Sequence, residues 1–320
     1  MTQDTSPTTP STRHVQLHQF RLLLIKGPDA SKFLQGQVTC DLRELVAPTT
    51  RIGAQCNPKG RILLSFRALQ LDAENIALRI PASMMEKAKS SLGKYIVFSK
   101  AKLHEGDDYL LFGLYGEGAR SAAEAIFNAL PSENDGWIEK DGNILIQLAP
   151  DRFECWIKSA DTTGVAQQLA NRSVGGHENE WNLLNIRTGI ADIYPETFEL
   201  FTPQEINYQL VNGISFRKGC YTGQEIVARL HYRGKLKRHM YRFTVNADQL
   251  PMPGSALVNA TTGKACGYLV NAAFSSRHQI EVLASLLDEQ LDQVRLETSA
   301  EIFSLLSLPY AIPTADDTNE

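Results

Sequence analysis

Lys218-Gly219-Cys220-Tyr221-Thr222-Gly223-Gln224-Glu225 is the most informative stretch of the chain. Two glycines bracket a cysteine, and a helical pattern over residues 226–230 follows directly. Glycine permits backbone angles and close approaches that a side chain forbids, and a helix N-terminus and a nearby lysine both favour a thiolate over a thiol. Physically, the segment describes either an activated, accessible Cys220 with Lys218 as its activator, or a small thiol packed in a tight turn. These eight residues alone do not choose between the two.

Downstream, Arg229, Arg233, Lys235, Lys237 and Arg238, interleaved with His231, Tyr232 and His239, form a basic run with no acidic residue between Glu225 and Asp248. Such a run suits the anionic tail of a small ligand, an RNA phosphate or an acidic protein, and equally suits a solvated strand edge blunted by charge. Closeness to Cys220 in sequence favours function for Arg229. The whole chain nevertheless carries a net charge of −4. A protein whose main partner is nucleic acid needs a broad basic surface, so direct nucleic-acid binding is not expected and any polyanion contact must be local.

At 320 residues and 43% hydrophobic content, the chain can bury a substantial core spread over two or three subdomains. Its five cysteines are an odd number scattered along the chain, without CxxC spacing, which argues against a disulfide framework, a zinc site or a resident cluster. A reducing, cytoplasmic setting is expected. Residues 1–13 are rich in Thr, Ser and Pro without an apolar stretch, and read as a tail rather than a signal peptide. Residues 314–320 read the same way, and no apolar run reaches the ~20 residues of a membrane span.

The periodicity alternates between helical and extended, giving an α+β class. A strand over residues 22–25 leads to a helix capped by Asp29, with Ala30, Phe33, Leu34 and Val38 on one face. Pro81 is expected to open a second helix, with Met84, Met85, Ala88 and Leu92 inward, Gly93 closing it and a buried strand over residues 95–98. Residues 143–149 and 152–159 alternate across Pro150-Asp151 as a hairpin, and residues 178–188 form a helix with Leu183, Ile186 and Ile190 inward, ended by Gly189. From Tyr241 the pattern is almost wholly β, which places a boundary near residue 240.

The octapeptide resembles the signature of the YgfZ family, Lys-Gly-Cys-(Phe/Tyr)-x-Gly-Gln-Glu. The resemblance extends to residues 27–37 (GPDASKFLQGQ), 57–61 (NPKGR), 94–100 (KYIVFSK) and 308–310 (LPY). It implies the fold of the glycine-cleavage T-protein, a clover leaf of three subdomains around a central hole. Two α+β subdomains would occupy residues 14–239 and a C-terminal β-barrel residues 240–313. It also implies tetrahydrofolate as ligand and a role beside iron-sulfur proteins, such as radical-SAM enzymes that modify tRNA, for a chain expected to act as a monomer.

Folate needs an aromatic surface for its pterin, a partner for the ring edge and cations for its glutamate tail. Trp181 matches a family tryptophan that looks like a folate contact, and Phe20 lies where a better-known branch has tryptophan. Glu205 and Asn207 in TPQEINYQ can pair with a pterin edge. Tyr221, Gln224, Glu225 and Arg229 complete the candidate ligand contacts. Three functions stay open: a folate-binding accessory factor, an aminomethyltransferase and a partner-binding scaffold. The transferase loses ground because residues 59–67 (KGRILLSFR) lack the acid that the T-protein places there, and the scaffold has no need of a poised cysteine.

Overall fold

The computed structural model describes residues 12–313, apart from 46, 47, 161, 233 and 235. Strand Phe20–Lys26 shows how the sequence becomes architecture. Its residues FRLLLIK lack polar alternation because both faces are covered. Leu22 and Leu24 enter one apolar cluster, and Leu23 and Ile25 enter another. This strand belongs to an antiparallel five-stranded sheet, ordered Arg51–Cys56, Ile62–Asp72, Asn75–Pro81, Phe20–Lys26, Lys102–Glu105. Helices α1 (Ala30–Gln35) and α2 (Met85–Ile96) cover its outer face through Phe33, Leu34, Ala88 and Leu92.

The inner face packs on a second sheet through Leu24, Leu69, Ala77, Ile144, Ile146 and Trp156. That sheet has six strands, ordered Val174–Gly175, Arg13–Gln16, Tyr109–Tyr115, Arg152–Lys158, Asn143–Ala149, Trp137–Lys140. Helix α3 (Ala119–Phe127) and Leu169 of α4 (Thr162–Arg172) lie on its far side over Phe153, Cys155 and Ile157. The result is a layered α/β/β/α body with two sheets face to face.

A third sheet, ordered Val294–Leu296, Ala256–Asn259, Ala265–Ser276, Gln279–Leu287, Arg238–Asn246, Ser304–Leu306, is antiparallel and curls into a half-barrel. A single bridge, Arg295 to Ile302, draws its two edges together. Helix α5 (Glu178–Thr188) fastens this sheet to the rest. The Asn179 amide donates to the Phe274 carbonyl and accepts from its N–H at 2.9 and 2.8 Å, and Glu281 holds both Arg187 of α5 and Arg242 of the sheet. Helix α6 (Gln224–Tyr232) leads into the third sheet. No helix among the described residues is long and apolar enough to cross a membrane.

Several local expectations are corrected. Pro81 ends a strand and, as expected, also opens the helical run, which starts as a 3-10 turn over Ala82–Met84 before α2, whereas Gly93 lies inside α2 and the expected strand over residues 95–98 does not form. The stripe Met85, Ala88, Leu92, Ile96 keeps helical period to the end of α2, so only Ile96 of that apolar run is drawn inward, leaving Val97 and Phe98 71% and 90% exposed. Val38 lies beyond α1, bridged to Gln55, and the Asp29 carboxylate accepts the Lys100 N–H instead of capping α1. Arg13, expected in the tail, opens a strand; residues 1–11 and 314–320 lie outside the described residues.

Candidate functional site

Of the five cysteines, Cys220 is exposed and the other four are buried. The surrounding octapeptide explains its display. The Lys218 side chain turns inward, and its ammonium donates to the carbonyls of Gln35, Val38 and Cys40 at 2.8, 2.6 and 2.8 Å, with the Tyr221 ring 5.0 Å away. Burial pulls this ammonium down to about 8, which still leaves it protonated at neutral pH. Tyr221 is buried, and the Thr222 N–H donates to the Gly36 carbonyl. Gly223 has φ of +85°, and a Cβ there would lie 2.5 Å from the Asn57 carbonyl, so only glycine lets the loop meet the turn at residues 57–61. Four residues thus anchor the loop and present the thiol between them.

Two expectations about this loop change. Lys218 faces three carbonyls, so it acts as an anchor and not as the thiolate's activator. Helix α6 begins at Gln224, so Cys220 precedes the helix by four residues instead of standing at its first turn.

A second constellation lies where α5 meets the two face-to-face sheets. Arg67 and Arg79 from the first sheet, Arg152 and Glu154 from the second, and Asp192 after α5 are all buried. Arg79 lies 3.6 Å from both Glu154 and Asp192, beyond hydrogen-bond length, and 4.0 Å over the Phe20 ring. Arg152 bonds Asn185 and stacks 4.2 Å over Trp181, while burial pulls its guanidinium down to about 9. Burial also raises the Asp192 carboxyl, which Arg79 opposes.

Beside this cluster a cleft of about 370 Å³ opens between α5 and the third sheet. Gln19, Asn182, Asn185, Asp192, Tyr194 and Asn271 supply its polar wall, and Ile190 and residues 250–253 its apolar one. Gln19 Oε1 and Asn271 Oδ1 are buried acceptors without a protein partner. This is the pattern of a small-molecule site: apolar walls with a few convergent polar groups.

Two relatives carry the description tRNA-modifying protein YgfZ. The one from Photobacterium profundum is 36% identical over 316 residues, covering 95% of this chain and 93% of the relative. The one from Yersinia pestis (strain Pestoides F) is 35% identical over 245 residues, 76% and 74% of the two chains. The chain belongs to the YgfZ family. The fold matches the crystal structure of the glycine cleavage system aminomethyltransferase T from Bartonella henselae, with a TM-score of 0.70 over 94% of this chain and 87% of the other at 16% identity. No family model matches.

The remaining residues expected from the YgfZ resemblance fall into distinct places. Trp181 is 1% exposed, with Tyr115 edge-on at 5.9 Å and Arg152 on its face. Gly113 makes room for the indole, since a Cβ there would come within 2.4 Å of it. Neither Trp181 nor Phe20 lines the cleft; each supports one buried arginine instead, an attraction that an aromatic face provides with or without an indole N–H. Glu205 accepts from Arg61 at 2.8 Å and from the Thr202 N–H at 2.7 Å, outside the α5 cleft. Asn207 is fully buried and clasps both backbone groups of Met240. Gln224 accepts from the Tyr221 N–H at 3.3 Å, while Glu225 and Arg229 are exposed on α6. Arg233 and Lys235 lie outside the described residues.

Asp192, three residues past the glycine that ends α5, places a carboxylate in the lining of the cleft. Sequence reasoning passed over Asp192, Asn185, Gln19 and Asn271. Only the pairing of an acid with a helix-terminating glycine could have drawn attention to the first.

Thiol chemistry offers a direct check. Burial pushes Cys40 and Cys56 up to about 12 and raises Cys155 and Cys266, so their unreactive neutral forms dominate at pH 8. A chromogenic disulfide reagent should titrate one thiol in the native protein and the other four only after denaturation. The fast thiol should vanish in Cys220→Ser; two or more fast native thiols would contradict the placement.

Proposed function

We propose that this YgfZ-family protein binds tetrahydrofolate in the cleft beside α5 and acts as an accessory factor for iron-sulfur enzymes, among them radical-SAM enzymes that modify tRNA, with Cys220 as its reactive group. The observation that carries the folate reading is the pair of orphaned acceptors, Gln19 Oε1 and Asn271 Oδ1, in a cleft with apolar walls. A buried acceptor without a donor costs about 1–3 kcal/mol, and the pterin edge supplies N–H donors of the matching kind. Asn185 and Asp192 complete the polar wall, and Ile190 with residues 250–253 provides an apolar surface for the ring.

The accessory role is supported by relatives described as tRNA-modifying proteins and by a cysteine displayed on an anchored loop. The setting consistent with these features is the cytoplasm, and the working form a monomer. The aminomethyltransferase reading gains Asp192 as an acid in the cleft, yet that carboxylate is turned towards Arg79, 3.6 Å away.

Calorimetric titration with tetrahydrofolate should give one site per chain with a Kd on the order of micromolar. Asn185→Ala removes one polar partner and should weaken binding by roughly tenfold. Absence of binding to the native protein would remove the folate reading.

A further inference from the structure

A second cleft, also of about 370 Å³, lies on another part of the molecule and belongs to neither the cysteine loop nor the folate reading. Its rim carries Lys59, Arg61, Lys237 and Arg238, and its floor includes Leu230 and Leu236. One carboxylate, Glu205, lines it, already engaged by Arg61 at 2.8 Å and the Thr202 N–H at 2.7 Å. Four cations against one carboxylate leave three positive charges among the lining residues, in a chain whose net charge is −4. Lys59 and Lys237 are exposed.

We propose that this cleft docks an acidic segment of a partner protein that carries apolar side chains between its carboxylates. The rim meets the carboxylates and the leucine floor meets the apolar side chains, so both halves of the lining are used. A nucleic acid fits less well. Phosphates gain nothing from the leucines of the lining, and a polyanion needs a long cationic track, whereas the described lining supplies four cations and one carboxylate.

The cleft's position gives the docking a purpose. Leu230 lies on α6, which starts directly after the loop that presents Cys220. Lys59 and Arg61 flank Gly60 in the turn that packs on Gly223 of that same loop. A partner segment held here is brought beside the displayed thiol.

Fluorescence anisotropy on the full chain tests the docking with three fluorescein-labelled probes: a ten-residue peptide alternating Glu and Leu, the same peptide with Lys in place of Glu, and a ten-nucleotide single-stranded RNA. The Glu/Leu peptide should bind, the Lys/Leu peptide should not, and the RNA should bind more weakly than the first. Added salt should weaken the complex, because rim charges at an exposed cleft are screened. The double variant Lys59→Glu/Lys237→Glu should lose roughly tenfold or more in affinity, and Lys264→Glu, at an exposed position outside the cleft, should lose none.

The double variant should keep its melting temperature and its tetrahydrofolate isotherm, which separates failure of the docking from failure of the folate reading. No binding of the Glu/Leu peptide, equal binding by the double variant, or tighter binding of the RNA would each overturn the proposal.

Discussion

Lys218→Met should lower folding stability by about 3 kcal/mol in urea-induced unfolding, a large effect for one side chain. The ammonium is the donor for three main-chain carbonyls at 2.6 to 2.8 Å, one on Gln35 at the end of α1 and two, on Val38 and Cys40, in the segment that leads from it to the first sheet. Each carbonyl left without a donor loses about 1–3 kcal/mol, while removal of a partly desolvated charge returns some of that sum. Methionine keeps the volume but also removes the ammonium that lies 5.0 Å from the Tyr221 ring, so the loss reports the three hydrogen bonds together with that smaller cation–π attraction. The loop carrying Cys220 should loosen with them, visible as faster proteolysis. A change below about 1 kcal/mol would mean that water replaces the lysine and that the inward anchor is dispensable.

Cys220→Ser should produce the opposite profile. The thiol is exposed, so stability should stay within about 0.5 kcal/mol of the native value. Cellular support of cluster-dependent tRNA modification should nevertheless fall to the level of a deletion, because a hydroxyl cannot act as a thiolate nucleophile or soft ligand. Thermal melting and modification of tRNA in complemented cells must be measured together. Loss of stability with a proportionate loss of activity would mean that the cysteine is a packing residue.

These two variants separate roles that the octapeptide superimposes. Lys218, Tyr221 and Gly223 are structural, each fixed by a contact that a substitution would break. Cys220 faces outward, as do its neighbour Gly219 and, on α6, Glu225. A signature that reads as one chemical unit is therefore an anchored loop with one displayed thiol, and Lys218 belongs to the anchor.

The sequence disclosed what depends on local periodicity. The apolar strand core at residues 22–25, the hairpin of residues 143–149 and 152–159, α5 ending at Gly189 and the β-rich C-terminal sheet were all legible, because a buried face imprints its period on the chain. The end of α2 was not, since Val97 and Phe98 look apolar enough for a strand and only tertiary packing shows that nothing covers them.

The cleft beside α5 was harder to read for a related reason. Gln19, Asn185, Asp192 and Asn271 come from separate segments brought together by the three sheets, and nothing in their spacing marks them as neighbours. Trp181 drew attention as a large aromatic, but its face is occupied by Arg152, and it is the adjacent Asn182 and Asn185 on α5 that reach the cleft. Periodicity identifies a buried stripe; it does not say which margin of that stripe borders a cavity.

A crystal structure of the protein with tetrahydrofolate bound would decide the cleft assignment outright. The pterin should lie against Ile190 and residues 250–253, with its N–H groups donating to Gln19 Oε1 and Asn271 Oδ1 and with Asn185 and Asp192 within hydrogen-bond reach. A pterin seated anywhere else, whether stacked on a displaced Trp181 or held at the Lys59 and Lys237 cleft, with Gln19 and Asn271 still unpaired, would contradict it.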